Sequence, residues 1–187
     1  MTRIAIFASG RGSNALKIID HLQEYENIAV GAILSNKQES GIVESAHKMD
    51  IPCLVFNRKD FYDSSIVLKF LKDQHIDYLI LAGFLWLIPD NLIESYSDKI
   101  INIHPSLLPK YGGKGMYGMH VHRAVKEHED HYSGITIHLV NEKYDEGRIL
   151  LQTKIKLEKS DSPEQIASKV LKLEHHFFPR VVAAYCK

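Results

Sequence analysis

Cysteine is scarce in this chain of 187 residues. Cys53 and Cys186 are the two present, far apart and outside any metal-ligand spacing. That excludes a disulfide-stapled scaffold and a thiolate zinc module, and two lone thiols fit the reducing cytoplasm. An excess of one charge is also lacking, because 23 basic residues balance 23 acidic ones. A balanced chain has no electrostatic footprint for nucleic acid or a membrane surface, so neither is expected as a partner. No apolar run is long enough to cross a bilayer. The first seven residues enter a strand pattern directly, without the layout of a signal peptide. Internal repeats and low-complexity segments are missing. What remains is one globular domain, residues 1–187, whose 45% hydrophobic content is ample for a core.

What is present is an alternation of short apolar runs with helical periodicity. Residues 3–9, 28–34, 51–56, 77–82 and 100–103 are predicted as strands. Helical spacing is predicted up to about residue 24 (Leu16, Ile19, Leu22), over 41–49, and over 61–73 with Ile66, Phe70 and Leu71 on one side. A short helix follows Asp90, a candidate N-cap. Such alternation predicts a parallel sheet covered by helices on both faces. Residues 133–140 and 149–157 alternate with period two and read as an antiparallel hairpin added to that sheet. The last helix is marked by Ser162 as N-cap, Pro163 at its first position and Gln165 completing a capping box. Val170, Phe177, Phe178 and Val181 form its buried stripe, and Pro179 is expected to kink or break it near Glu174. The fold class is α/β: an open, doubly wound, mostly parallel sheet with an antiparallel C-terminal hairpin and a long C-terminal helix.

Chemistry gathers where strands end. In Ile100-Ile101-Asn102-Ile103-His104-Pro105, Asn102 and His104 lie two apart and share one side of a strand. An amide donor and an imidazole there suit a developing oxyanion and a proton transfer, although a satisfied core Asn and a turn-capping His use the same pattern. Gly10-Arg11-Gly12-Ser13-Asn14-Ala15 links a strand to a helix and offers backbone N–H groups to an anion. It fits the form G-x-G-x-x-A, but the second strand ends in Ser35-Asn36-Lys37, with no carboxylate to hold a ribose. A single phosphate therefore suits it better than a dinucleotide, against a tight turn with no ligand.

Gly83 to Ile88 falls at the ligand-binding edge of such a sheet and could line a flat aromatic pocket or pack in the core. Residues 110–118 hold four glycines and read as a mobile loop beside the site. His120, His122, His128 and His131 match no zinc spacing, so no metal is expected. Asp145 lies in the hairpin loop, where a carboxylate near His104 would raise its pKa. Glu174 points along the apolar stripe of the last helix, which implies a cationic or amine partner, from a ligand or from the protein itself.

Gly12-Ser13-Asn14, Leu81-Ala82-Gly83-Phe84, Asn102-Ile103-His104-Pro105-Ser106-Leu107-Leu108-Pro109, Asp145-Glu146-Gly147 and Glu174-His175 occur in this order. Together they resemble the phosphoribosylglycinamide formyltransferases, over essentially the whole chain. The resemblance implies a Rossmann-like formyltransferase fold with a phosphate-binding half (about 1–100) and a folate and catalytic half (about 101–187). It implies transfer of a formyl group from the co-substrate 10-formyltetrahydrofolate to the amine of glycinamide ribonucleotide, in purine biosynthesis. Asn102, His104 and Asp145 would be catalytic. Gly12, Ser13 and Asn14 would hold the phosphate, and Glu174 would meet the amine. Leu85, Trp86, Leu87 and Ile88 would line the folate pocket, with Asn102 and the segment from Asn141 to Asp145 opposite.

The partners would be these small molecules, and the chain a monomer or weak homodimer. Four positions depart from the family: Trp86 stands where many relatives have Arg, Ser64 roughly where an Arg lies near the folate, and Arg148 in place of a common Pro. The fourth is the 110–118 loop, which is a few residues longer. Rival readings are a folate-dependent formyl hydrolase, a methionyl-tRNA formyltransferase core, and a non-catalytic nucleotide-binding module.

Overall fold

The strand β1 (Thr2–Phe7) has Ile4, Ala5, Ile6 and Phe7 all fully buried. A strand shielded on both faces is the mark of the middle of a parallel sheet. The structure, a computed structural model describing residues 1–186, places β1 third of seven strands. The others are β2 (Ile28–Ser35), β3 (Cys53–Val55), β4 (Tyr78–Leu81), β5 (Ile100–His104), β6 (Tyr132–Leu139) and β7 (Ile149–Lys156). Their order is β3-β2-β1-β4-β5-β6-β7, parallel through β5 and antiparallel for β6 and β7. The predicted doubly wound sheet with its C-terminal hairpin is therefore observed.

Helices cover both faces. Ile4 and Ile6 point into a core shared with α1 (Ser13–Leu22), α2 (Gly41–Lys48), α6 (Met119–Glu127) and α7 (Pro163–Tyr185). Ala5 and Phe7 point into a second, more aromatic core with α3 (Arg58–Tyr62), α4 (Ile66–Asp73) and α5 (Asp90–Ser95). No helix among the described residues is long and apolar enough to cross a membrane. The chain leaves β1 toward β2 on one side and returns to β4 on the other. The crevice at the carboxyl ends of β1 and β4 is thus a topological switch point, where open α/β sheets take their ligands.

Four local expectations are corrected. The predicted helix over 61–73 is two helices, because Asn57 and Asp60 form a capping box that starts α3 earlier. The Ser64 hydroxyl then breaks the run, donating to the Asp60 carbonyl and accepting from the Ile66 N–H. Within α4, Val67 and Leu71 are buried and Ile66, its first residue, is exposed. Asp90 is the first residue of α5 rather than its N-cap, which is Pro89. In α7 the capping box at Ser162 and Gln165 forms as expected, yet the helix runs unbroken through Pro179. Pro179 is itself buried beside Phe178 and Val182, and that packing holds a helix which a proline alone would interrupt. Val170 and Phe178 are fully buried, whereas Phe177 and Val181 flank the stripe, partly exposed.

Candidate active site

Register builds the centre of the site. Antiparallel pairing sets Asn102 opposite His138 and His104 opposite Thr136. Residues directly opposed on neighbouring strands share a face, so the two imidazoles and the amide converge. The Asn102 amide nitrogen lies 3.1 Å from His138 Nε2. His138 Nδ1 lies 2.8 Å from the Leu139 carbonyl, which can only accept; Nδ1 therefore carries the proton and Nε2 accepts from the amide. His104 Nε2 lies 2.7 Å from the Tyr111 carbonyl and by the same reasoning donates to it. That leaves His104 Nδ1 facing Asp145 Oδ1 at 3.5 Å. Asp145 sits in a left-handed turn (φ 58°) between β6 and β7. Its Oδ2 accepts the Gly113 N–H at 2.9 Å, and its Oδ1 is 3.6 Å from His138 Nε2. The loop that carries Gly113 packs closely on this turn: a Cβ on Gly112 would lie 3.4 Å from the Asp145 Cβ.

Burial decides the protonation states. The side chains of His104 and His138 are 6% and 2% exposed, and that of Asp145 11%. Burial lowers the His104 pKa, and this outweighs the upward pull of Asp145 and of the Tyr111 carbonyl. Asp145 raises the His104 pKa as expected, but burial lowers it by more: the ring rests neutral, with Nδ1 unprotonated. Burial pushes Asp145 up, but the charge that His104 carries once protonated and the Gly113 N–H donated to Oδ2 hold it below the usual carboxylate range, so it stays ionised. The neighbouring His122 is buried too, and burial, followed by the charge that His104 carries once protonated, takes it down to about 4.

A stability prediction follows from His122. A histidine with a depressed folded pKa stabilises the fold fully above its unfolded value near 6.5, and the contribution is lost as pH falls toward 4. Denaturant unfolding at pH 7 and pH 4 should show a His122-dependent loss on the order of 3 kcal/mol. The pH dependence of stability should shrink in His122→Gln.

A cleft of about 930 Å³ extends from this centre in two directions. At one end α1 begins directly after Gly12, whose φ of 75° already favours glycine. A Cβ at that position would also lie 2.7 Å from the Ile42 Cβ, so no other residue fits. Of the three expected phosphate residues only Asn14, buried, lines the cleft; Gly12 and the exposed Ser13 lie outside its lining. The Asn14 amide donates to Glu174 Oε2 at 2.5 Å. Among the described residues an uncharged amide is thus the partner of the α7 carboxylate, and burial raises the Glu174 pKa against the pull of Asn14.

At the other end Leu85, Trp86, Leu87 and Ile88 all line the cleft, facing Val140, Lys143 and Tyr144. Trp86 packs against Phe56, Phe61, Tyr62 and Phe84, and the Arg58 guanidinium lies 4.8 Å above its ring. Asn141 is not part of the lining; its side-chain oxygen caps the turn at the Lys143 N–H. Ser64 likewise stays in the α3–α4 break.

The structure thus brings together Asn102, His104 and Asp145, with Asn14 and Glu174 on one flank and residues 85–88 on the other. It also adds His138 and Arg58, which sequence reasoning passed over, and His122, which it weighed only as a metal ligand. The signal for His138 lay in its alternation with Thr136 and Val140, but its place opposite Asn102 depends on strand register.

Hydrogen-bond donors and a proton-accepting imidazole, with no cysteine or serine among them, suit direct transfer of an acyl group rather than a covalent relay. Comparison with known proteins narrows that class. The formyl transferase family model matches residues 2–182, and the chain belongs to this family. It is 42% identical to the chloroplastic phosphoribosylglycinamide formyltransferase of Arabidopsis thaliana, over 99% of this chain and 65% of that one. The chain therefore spans slightly less than two thirds of that relative's length. It is 35% identical to phosphoribosylglycinamide formyltransferase of Bacillus subtilis, over 97% of this chain and 93% of that one. The crystal structure of glycinamide ribonucleotide transformylase 1 from Geobacillus kaustophilus superimposes with a TM-score of 0.90, at 30% identity and over 100% of both chains.

Proposed function

We propose that this protein transfers the formyl group of 10-formyltetrahydrofolate to the amine of glycinamide ribonucleotide, in the cytoplasm and as a step of purine biosynthesis. The observation that carries the proposal is the meeting of Asn102, His104 and Asp145 in one cleft with the Asn14–Glu174 pair and residues 85–88. The backbone N–H groups after Gly12, with Ser13 and Asn14, take the phosphate at the start of α1. Glu174, carrying no cationic partner among the described residues, meets the amine. The flat ring system of the folate lies along residues 85–88, with the Val140–Asp145 segment opposite, and Arg58 at the wall faces its anionic tail.

The geometry gives each step a group. The amine attacks the formyl carbon and the carbonyl oxygen becomes an oxyanion. The Asn102 amide, oriented by His138, donates its second N–H to that oxygen. His104 Nδ1 takes the proton that the attacking nitrogen sheds. The oxyanion beside the ring raises the His104 pKa as the proton arrives, and Asp145 steadies the resulting imidazolium. The same proton then passes to the departing folate nitrogen. Holding both substrates in one cleft removes much of the entropic barrier.

An assay offering 10-formyltetrahydrofolate with three acceptors tests the substrate. Formyl transfer to glycinamide ribonucleotide is expected, with initiator tRNA and water turned over at least about a hundredfold more slowly. Equal or faster hydrolysis would point to the formyl hydrolase reading. Glu174→Ala should raise KM for the ribonucleotide about tenfold or more while leaving KM for the folate unchanged, as loss of a buried polar contact predicts.

A further inference from the structure

Asp130 lies just beyond α6, outside the cleft, and carries three short contacts. Lys110 Nζ approaches its two oxygens at 3.0 and 3.3 Å, and the Tyr111 hydroxyl donates to Oδ2 at 2.9 Å. On its inner side the same Tyr111 accepts the His104 Nε2–H through its carbonyl, at 2.7 Å. Tyr111 stands in the left-handed region, φ 55°, a conformation that a bulky aromatic residue adopts only when its surroundings enforce it. Ser106 adds a further restraint, its hydroxyl donating to the Lys110 carbonyl at 2.6 Å. One residue thus joins a surface carboxylate to the imidazole at the centre of the site.

We infer that Asp130 is a positioning residue for His104: by gripping Lys110 and the Tyr111 hydroxyl it holds the Tyr111 carbonyl against Nε2, and so keeps His104 in the tautomer whose bare Nδ1 faces Asp145 at the lining of the cleft. A carbonyl has no proton to give, so this contact is satisfied only by an Nε2–H ring. If the carbonyl swings away, the neutral ring is free to put its proton on Nδ1 toward Asp145, and the base is lost. Burial, and then Asp130, raise the phenol of Tyr111 to about 12, so it remains a donor at every working pH. The groups facing His104 are Asp145, His138 and His122 together with the Tyr111 carbonyl. Those facing Asp130 are Lys110, Tyr111 and His128.

This inference deepens the proposed formyl transfer and rests on it for its kinetic effect, but the tautomer can be read without any substrate. The variants are Tyr111→Phe, Asp130→Ala and the conservative Asp130→Asn, whose amide oxygen still accepts from the phenol. Imidazole nitrogen chemical shifts of ¹⁵N-histidine protein report the tautomer, and thermal unfolding confirms that each variant folds. Wild type and Asp130→Asn should show an Nε2–H His104. Tyr111→Phe and Asp130→Ala should show mixed tautomers, with kcat about tenfold lower and both KM values unchanged.

Unchanged His104 signals in folded Tyr111→Phe and Asp130→Ala would overturn the inference, as would an Asp130→Asn as impaired as Asp130→Ala. Should the ribonucleotide prove not to be the acceptor, the substrate reading fails by itself and the nitrogen shifts still decide the role of Asp130.

Discussion

Replacing His104 with alanine should lower kcat for formyl transfer by about 10³-fold, the range in which a positioned acid–base group acts. That corresponds to about 4 kcal/mol of lost transition-state stabilisation. KM for both substrates should change little, because the ring handles a proton that moves only during reaction. The side chain is almost completely buried, so the alanine variant also leaves the Tyr111 carbonyl without its donor and opens a small cavity. His104→Gln supplies an amide N–H in its place and separates the two effects. A glutamine variant that unfolds like wild type yet has lost its turnover assigns the defect to chemistry. Turnover near the wild-type rate in either folded variant would rule out the proton shuttle.

Asp145→Asn should cost about 10²- to 10³-fold in kcat, and its effect on pH is more telling than its size. The His104 pKa is already lowered by burial, and Asp145 is the first of the influences that pull it back up. An uncharged amide at 145 removes that pull, so the ring becomes harder to protonate. In wild type the rate falls on the acid side as His104 takes up a proton and can no longer act as a base. That limb lies below 6.5, because the folded pKa is lowered. In Asp145→Asn the limb should move to still lower pH while the plateau drops. The amide oxygen can still accept from the Gly113 N–H, so the loop should stay docked. An acid limb that stays in place, or moves upward, would show that Asp145 does not act through His104.

Much of the architecture is legible in local pattern. Apolar runs of strand length, the capping box at Ser162 and Gln165, and the alternation over 133–140 each reflect one short stretch and its own geometry. Periodicity misplaces the helix over 61–73 for the opposite reason. Its apolar spacing spans the break, and the Ser64 hydroxyl that stops α3 competes with the backbone in a way periodicity does not register. Pro179 defeats the local rule because its cost to the helix is outweighed by its burial beside Phe178 and Val182.

The chain by itself determined which chemistry is available: an Asn and a His on one side of β5, a carboxylate in the hairpin loop, a glycine turn before α1, and a lone acid on the apolar stripe of α7. Only the tertiary structure decided how those groups behave. Strand register put His138 across from Asn102, packing made an amide rather than a cation the neighbour of Glu174, and burial outweighed the expected upward pull of Asp145 on the His104 pKa. The reason is physical: periodicity and capping depend on residues a few positions apart. Desolvation and cross-strand pairing depend on which distant atoms close around a group.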